Sequence, residues 1–337
     1  MGATEARPIA PDHGKFVRAT QPFRRELLAH CYRMLGSVDE AEDVVQETYL
    51  RAWRSYGGFE GRSSVRVWLY RIATNACLTA LERRGRRALP SGLGGPSDDP
   101  DAPLVLAGSE VGWLEPIPDA LVAPESDDPA VVVASRASLR LALIASLQHL
   151  PPRQRAVLIL RDVLSWPARE VAQALGTTTP AVKSALQRAR SKLDQVAADE
   201  LDEPSEPEAR ALLDQYIAAF ETGDADALAR ALREDAALEM TPSRTWFAGL
   251  STCMRYLTRY LRTPGEWRMT PTRANGQPAA AAYWRGEDGA YEPFAIVVLT
   301  TTATGISRIT LFADADLFTR FGLPQTSPTA SRSPRGS

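Results

Sequence analysis

Thr179-Pro180-Ala181-Val182-Lys183-Ser184-Ala185-Leu186-Gln187-Arg188-Ala189-Arg190-Ser191-Lys192-Leu193 decides how this chain is read. Val182, Leu186, Ala189 and Leu193 recur at helical spacing and form one apolar stripe, while Lys183, Ser184, Gln187 and Arg188 fall on the opposite face. Thr179 is expected to cap the helix and Pro180 to occupy its first turn, where no N–H donor is needed. Just upstream, Pro167 to Leu175 reads as a shorter helix stopped by Gly176. That spacing is a helix-turn-helix, whose second helix enters the major groove. An αα-hairpin with a merely solvated basic face has the same pattern. The local charge favours DNA: between Ser135 and Ala198 ten cations face only Asp162, Glu170 and Asp194, inside a chain of net charge -2.

Working outward, two acidic breaks divide the 337 residues. From Ala88 to Ser135 there is no Lys or Arg, while Asp98, Asp99, Asp101, Glu110, Glu115, Asp119, Glu125, Asp127 and Asp128 lie among prolines and glycines. Residues 88–133 are therefore expected to be an acidic flexible linker. A second linker is expected over 199–207, and a disordered Ser/Pro/Arg-rich tail over 324–337. Folded units are expected over 16–87, 134–198 and 208–323. Cys31, Cys77 and Cys253 lie too far apart in sequence to suggest a disulfide framework or zinc site, and read as buried, reduced thiols. With no signal-like start and no long apolar run, the reading is a cytoplasmic protein without membrane contact.

The N-terminal unit divides its charges by helix. Asp39 to Trp53 carries Val45, Tyr49 and Ala52 on one face and acids in its first turns, where the helix dipole favours them. Taken alone, this is a solvated surface helix. After a loop, Gly57 to Ser64, a helix follows that interleaves Trp68, Leu69 and Ile72 with Arg66, Arg71, Arg83, Arg84, Arg86 and Arg87. Aromatic rings beside cations suit a separated nucleic-acid strand, although Trp68 in a core with solubilising arginines reads equally well.

In that order, the acidic helix with Asp43, Gln46 and Glu47, the segment Trp68-Leu69-Tyr70-Arg71-Ile72-Ala73-Thr74-Asn75, and Leu147 to Leu193 resemble the extracytoplasmic-function (ECF) sigma factors of the sigma-70 family. One departure is Pro167, where members often carry a capping Ser or Thr. The resemblance implies a multidomain chain with two all-α sigma domains, a region 2 helical bundle and a region 4 helix-turn-helix. It also implies partners: core RNA polymerase, through the β′ clamp helices and the β subunit, and promoter DNA. Asp43, Gln46, Glu47 and Arg51 would dock on the clamp. Phe59, Arg62, Ser63, Ser64, Trp68, Arg71 and Asn75 would hold the opened minus-10 element, offsetting a cost of about 1.4 kcal/mol per base-pair step. Thr179, Ala181, Lys183, Ser184, Gln187 and Arg188 would read the minus-35 duplex. The implied function is transcription initiation, with no catalysis by this chain and no cofactor.

Beyond residue 208 the pattern changes. Leu212, Leu213, Tyr216, Ile217 and Phe220 make a helical stripe, and strand-like runs follow at Trp267–Ala274, Ala279–Arg285, Pro293–Thr301 and Gly305–Phe312, the first two joined by the hairpin signal Asn275-Gly276. This resembles the SnoaL-like (polyketide-cyclase-like) domains, which implies an α+β cone that regulates the sigma part in cis. Its expected ligand pocket is Trp246, Tyr283, Trp284 and Asp314, with Glu239 and Glu292 as further polar candidates. Core or rim roles, ligand sensing and acid-base catalysis are the readings for these residues. His13, His30 and His149 all lie outside this domain, which removes the usual neutral-pH proton carrier. The alternative for the whole chain is a SnoaL-like isomerase or cyclase, or a ligand-sensing repressor, tethered to DNA by its helix-turn-helix.

Overall fold

A computed structural model describes residues 13–61, 63–124, 128–194 and 204–326. Arg62, most of the second linker and the tail from residue 327 lie outside the described residues. The chain forms two compact units, one from residues 1–87 with 120–198 and the other from 88–119 with 199–337.

The first unit is helical. It contains α1 (His13–Thr20), α2 (Arg24–Leu35), α3 (Val38–Ser55) and α4 (Val65–Glu82), then, after the short α5 (Asp119–Val122), α6 (Pro129–Ala137), α7 (Leu141–Gln148), α8 (Pro152–Leu158), α9 (Ala168–Ala174) and α10 (Thr179–Asp194). Ser37 caps α3 by accepting from Glu40 N at 3.3 Å, and Ser64 caps α4 by accepting from Val67 N at 3.2 Å. The cap of α10 is Thr178, one residue before the one expected, because its Oγ1 is the oxygen within reach of Ala181 N, at 3.3 Å. Gly176, at φ +60°, stops α9 as expected.

Two buried guanidiniums join the early helices to the later ones. Arg155 on α8 donates to Met34 O at the end of α2, to Gln148 Oε1 at 2.8 Å and to the carbonyls of Gln148 and Leu150. Arg33 donates to Ser138 O and Oγ at 3.2 and 2.6 Å. Gly36, at φ +72°, lets the α2–α3 turn come close, since a Cβ there would lie 3.3 Å from Gln148. Tyr70 meets Trp166 edge to face at 5.3 Å.

The second unit is an α+β cone with α11 (Glu206–Thr222), α12 (Ala225–Ala231), α13 (Leu250–Leu257) and α14 (Asp316–Arg320). Its strands are β1 (Leu232–Thr241), β2 (Trp246–Ala248), β3 (Trp267–Ala274), β4 (Gln277–Arg285), β5 (Tyr291–Thr302) and β6 (Gly305–Phe312). The sheet order is β2-β1-β6-β5-β4-β3, with β1 and β6 parallel and the other pairs antiparallel. Asn275 and Gly276 both have positive φ, +56° and +69°, which is the turn the β3–β4 hairpin requires. Leu213, Tyr216, Phe220, Leu228 and Leu257 pack against inward residues of the sheet.

The acidic stretch from residue 88 is not a free linker. Up to Asp119 it belongs to the second unit, where its backbone finds partners on the cone. Ser91 N donates to Glu239 Oε2 at 2.9 Å, Ser97 N to Trp246 O at 2.8 Å, Val105 N to Thr245 Oγ1 at 2.9 Å and Ala107 N to Pro242 O at 3.0 Å. Ile117 N donates to Asn275 Oδ1, and Ile117 O accepts from Asn275 N, both at 3.0 Å. Residues 129–133, expected to fall in the same linker, instead form the first part of α6, capped by Asp128. A chain with this many prolines makes no ladder of its own, so an existing fold must answer its polar groups.

All three cysteines are buried free thiols. His30 is buried between α2 and α4, with Nε2 2.9 Å from Thr74 Oγ1 and its ring 5.0 Å from that of Tyr70. Burial, aided by the Arg33 charge, pushes its pKa down from 6.5 to about 3. The unfolded chain therefore takes up this proton first as the pH falls. The stabilising effect of a neutral His30 is complete above pH 6.5 and is lost progressively toward pH 3. Between pH 6.5 and 5 this group should cost up to about 1.4 kcal/mol per pH unit. His30→Gln is expected to flatten that dependence, as measured by urea unfolding at stepped pH; an unchanged slope would place the loss elsewhere.

Candidate functional site

Three surfaces carry the candidate residues. On α3, Asp43, Gln46 and Arg51 are exposed and Glu47 is half-buried, while Val44, Val45 and Thr48 face the bundle. Glu47 and Arg51 form an ion pair across one helical turn, 2.6 Å. In their midst Leu50 is 52% exposed, an apolar residue that sequence patterning missed because it breaks the polar face. The helix thus offers a partner an acidic rim around an uncovered aliphatic side chain.

On α4 the structure sorts the residues expected to hold a separated strand. Arg71 and Asn75 are exposed one turn apart, and Asn75 Nδ2 donates to Arg71 O at 2.9 Å. Ser63 is exposed and Ser64 serves as the helix cap. Trp68, by contrast, is only 7% exposed and packs on Phe59 at 4.8 Å, so its ring belongs to the core and Phe59 is the half-buried member of the pair. Several arginines are already engaged by the fold's own groups. Arg66 bonds both carboxylate oxygens of Glu26, Arg84 and Arg87 reach Glu40, and Arg86 lies 2.8 Å from His149 Nδ1.

On α10, Val182, Leu186 and Ala189 are buried, and Ala181, Lys183, Ser184, Gln187 and Arg188 form one exposed face, with Thr179 half-buried at its start. Arg188 Nη1 donates to Ser184 Oγ at 2.6 Å. Arg190 is turned back to Asp162, with two bonds of 2.7 and 2.9 Å, and is therefore tied into the unit's own charge network.

The cone holds a cavity of about 230 Å³. The expected pocket residues Trp246, Tyr283, Trp284 and Asp314 do not line it; for Tyr283, as for Glu239, strand alternation turns the side chain to the other face of the sheet. Leu238 and Met240 face the cavity, and Glu239 between them points to the other side of the sheet, where it meets Arg308 and Ser91 N. Tyr283 likewise donates to Pro324 O at 3.0 Å on the face opposite Ala282. Trp246 Nε1 donates to Gly94 O at 2.9 Å, Trp284 meets Trp267 edge to face at 4.6 Å, and Asp314 is exposed, accepting from Asp316 N. Glu292 is exposed as well. The wall is instead Phe220, Met240, Tyr256, Tyr260, Trp267 and Met269 with other apolar residues, including Leu104 and Leu106 from the acidic stretch. Tyr256 and Tyr260, one turn apart on the α13 segment, are the sequence signal that marks this wall. Burial holds the Tyr256 hydroxyl well above the ordinary phenol range. Among the described residues, no group of His, Cys, Asp and Glu is placed to hold a metal ion.

Residues 20–87 match the family model for sigma-70 region 2, residues 140–193 that for sigma-70 region 4, and residues 209–312 that for a SnoaL-like domain. The chain is 52% identical over 324 residues to the ECF RNA polymerase sigma factor SigG of Mycobacterium tuberculosis, covering 95% of this chain and 86% of that protein. It is 29% identical over 217 residues to the ECF sigma factor SigJ of the same species, covering 64% of this chain and 61% of SigJ. The crystal structure of SigJ superposes with a TM-score of 0.59 at 23% identity, over 92% of this chain and 99% of that one, a likeness of fold.

Proposed function

The chain belongs to the extracytoplasmic-function sigma factors of RNA polymerase and carries a C-terminal SnoaL-like domain, and we propose that two of its helices present its two macromolecular contacts. As a sigma factor it binds core RNA polymerase and promoter DNA and initiates transcription. The reading of the contacts rests on one observation: two exposed faces of opposite chemistry, acidic on α3 and basic on α10, each backed by a buried stripe. Asp43, Gln46, Glu47 and Arg51 on α3, with Leu50, form the polymerase contact. Lys183, Ser184, Gln187 and Arg188 read the minus-35 duplex. Arg71, Asn75, Ser63 and Phe59 hold the minus-10 strand, and Trp68 supports Phe59 from behind.

The C-terminal domain acts on the sigma part in cis through the stretch 88–119, which links regions 2 and 4 and is held by the cone. It does so without chemistry of its own: the cavity wall offers hydroxyls from Thr241, Ser243, Tyr256 and Tyr260 but no carboxylate or imidazole, which suits binding rather than proton transfer. Among the described residues no single helix is long and apolar enough to cross a membrane.

Run-off transcription with core polymerase and promoter fragments tests the whole reading. Asp43→Arg combined with Glu47→Lys should abolish co-elution with core polymerase and leave the melting temperature unchanged, since both side chains reach solvent; retained co-elution would remove α3 from the contact.

For the recognition helix, Lys183→Ala and Arg188→Ala should each cost about 1 to 3 kcal/mol in minus-35 duplex binding where they read a base. Arg190→Ala should cost less, because Asp162 already holds that guanidinium. Equal losses at all three positions, measured by fluorescence anisotropy, would mean a diffuse electrostatic face.

Cis regulation makes its own demand. Asn275→Ala removes the acceptor for Ile117 N and places alanine at positive φ, so it should loosen the stretch 88–119 and shift promoter-dependent transcription several-fold while polymerase binding persists. Transcription equal to the parent's across promoters would argue that the docked stretch is inert.

A further inference from the structure

We propose that the cone cavity is a binding site for a small neutral apolar molecule and that residues 104–107 of the region 2 to region 4 connection form one of its walls, so that ligand and connection hold each other in place. The chemistry of the wall sets the ligand class. Apart from a few hydroxyls, of which Tyr256 and Tyr260 lie 3.2 Å apart, the lining is aliphatic, aromatic or thioether, with no Lys, Arg, His, Asp or Glu side chain. A charged group placed there would lose its water and gain no partner. A dry cavity of roughly 150 Å³ accepts a benzene ring, so about 230 Å³ admits a body of the fused two-ring size.

The wall contributed by the connection is held from outside the cavity. Val105 N donates to Thr245 Oγ1 at 2.9 Å, Val105 O accepts from Arg244 N at 2.7 Å, Ala107 N donates to Pro242 O at 3.0 Å, and Leu106 bridges to Ser243. Asp101 anchors the same stretch to Arg255 at 2.5 Å and to Arg259 on the α13 segment. These contacts place Leu104 against the core and leave Leu106 at the cavity rim, 66% exposed. A ligand in the cavity would cover apolar surface of Leu106 that is otherwise left to water. The cavity is open with the stretch docked, so a ligand needs no eviction. It adds apolar contacts that exist only in the docked state and therefore shifts the population toward docking, and docking strengthens ligand binding in equal measure.

The inference rests on the cis-regulation reading only for its consequence: holding residues 104–107 shortens the chain left free to span regions 2 and 4. Its test involves neither polymerase nor DNA, so its failure leaves that reading standing. The full-length chain is titrated with 1-naphthol and with 1-naphthoate by saturation-transfer NMR, and amide hydrogen exchange is followed at Val105 and Ala107. Naphthol should bind saturably and naphthoate at least about tenfold more weakly. Saturating naphthol should slow exchange at both amides by about tenfold. Leu104→Ser with Leu106→Ser, in the connecting stretch rather than in the helices or sheet of the cone, should weaken naphthol binding by about tenfold. The proposal is overturned if naphthol does not bind saturably or naphthoate binds as well. Exchange at Val105 and Ala107 that ignores saturation, or a double variant that binds like the parent, overturns it equally.

Discussion

The constraint on which this molecule turns is that a buried or docked backbone must have its hydrogen bonds answered. The stretch 88–119 contains no lysine or arginine and is rich in proline and glycine, so it has neither the periodicity for a helix nor a neighbouring strand of its own. It meets the demand by borrowing partners along the cone: a buried glutamate, a turn asparagine, a threonine hydroxyl and the carbonyls of the β1–β2 loop. The cone thereby holds the connection between regions 2 and 4, which is the physical basis of the cis regulation we propose.

In the helical unit the same rule is applied to charge. Arg33 and Arg155 are buried and direct their donors to the carbonyls and side chains at helix ends, which fixes how the early and late helices meet. His30 is held neutral in the same interior. Spending cations internally sharpens what remains outside. The arginines engaged with Glu26, Glu40, His149 and Asp162 are tied to the unit's own groups, whereas Lys183, Ser184, Gln187 and Arg188 form one exposed face of α10, the face we propose for the duplex.

Strand alternation decides the character of the cone. Placing Leu238 and Met240 inward obliges Glu239 to face the other way, and placing Ala282 inward does the same to Tyr283. The polar residues that mark an isomerase-like site in a linear reading thus serve to hold the connecting stretch and the C-terminal segment. What faces the cavity is a wall of aromatic, aliphatic and thioether side chains with a few hydroxyls.

The sequence by itself determined the elements whose signal is local. The stripe of α10, the Gly176 stop, the Asn275-Gly276 turn, the hairpin and meander around it, and the acidic and basic faces of α3 and α10 all follow from periodicity and turn chemistry within a few residues. It also contained the ordered motifs that resemble a sigma factor. Only the tertiary structure decided the rest, because those features depend on contacts between residues far apart in the chain. β1 is invisible locally: it follows α12 without a break, carries Arg233, Glu234 and Asp235 directly after its first residue, and becomes a strand by pairing in parallel with β6, some seventy residues later. Trp68 reads as either base-stacker or core until Phe59 and the neighbouring helices bury it. The stretch 88–119 has the composition of a free linker, and composition cannot register that Asn275, Thr245 and Glu239 wait more than a hundred residues downstream with the donors and acceptors it lacks.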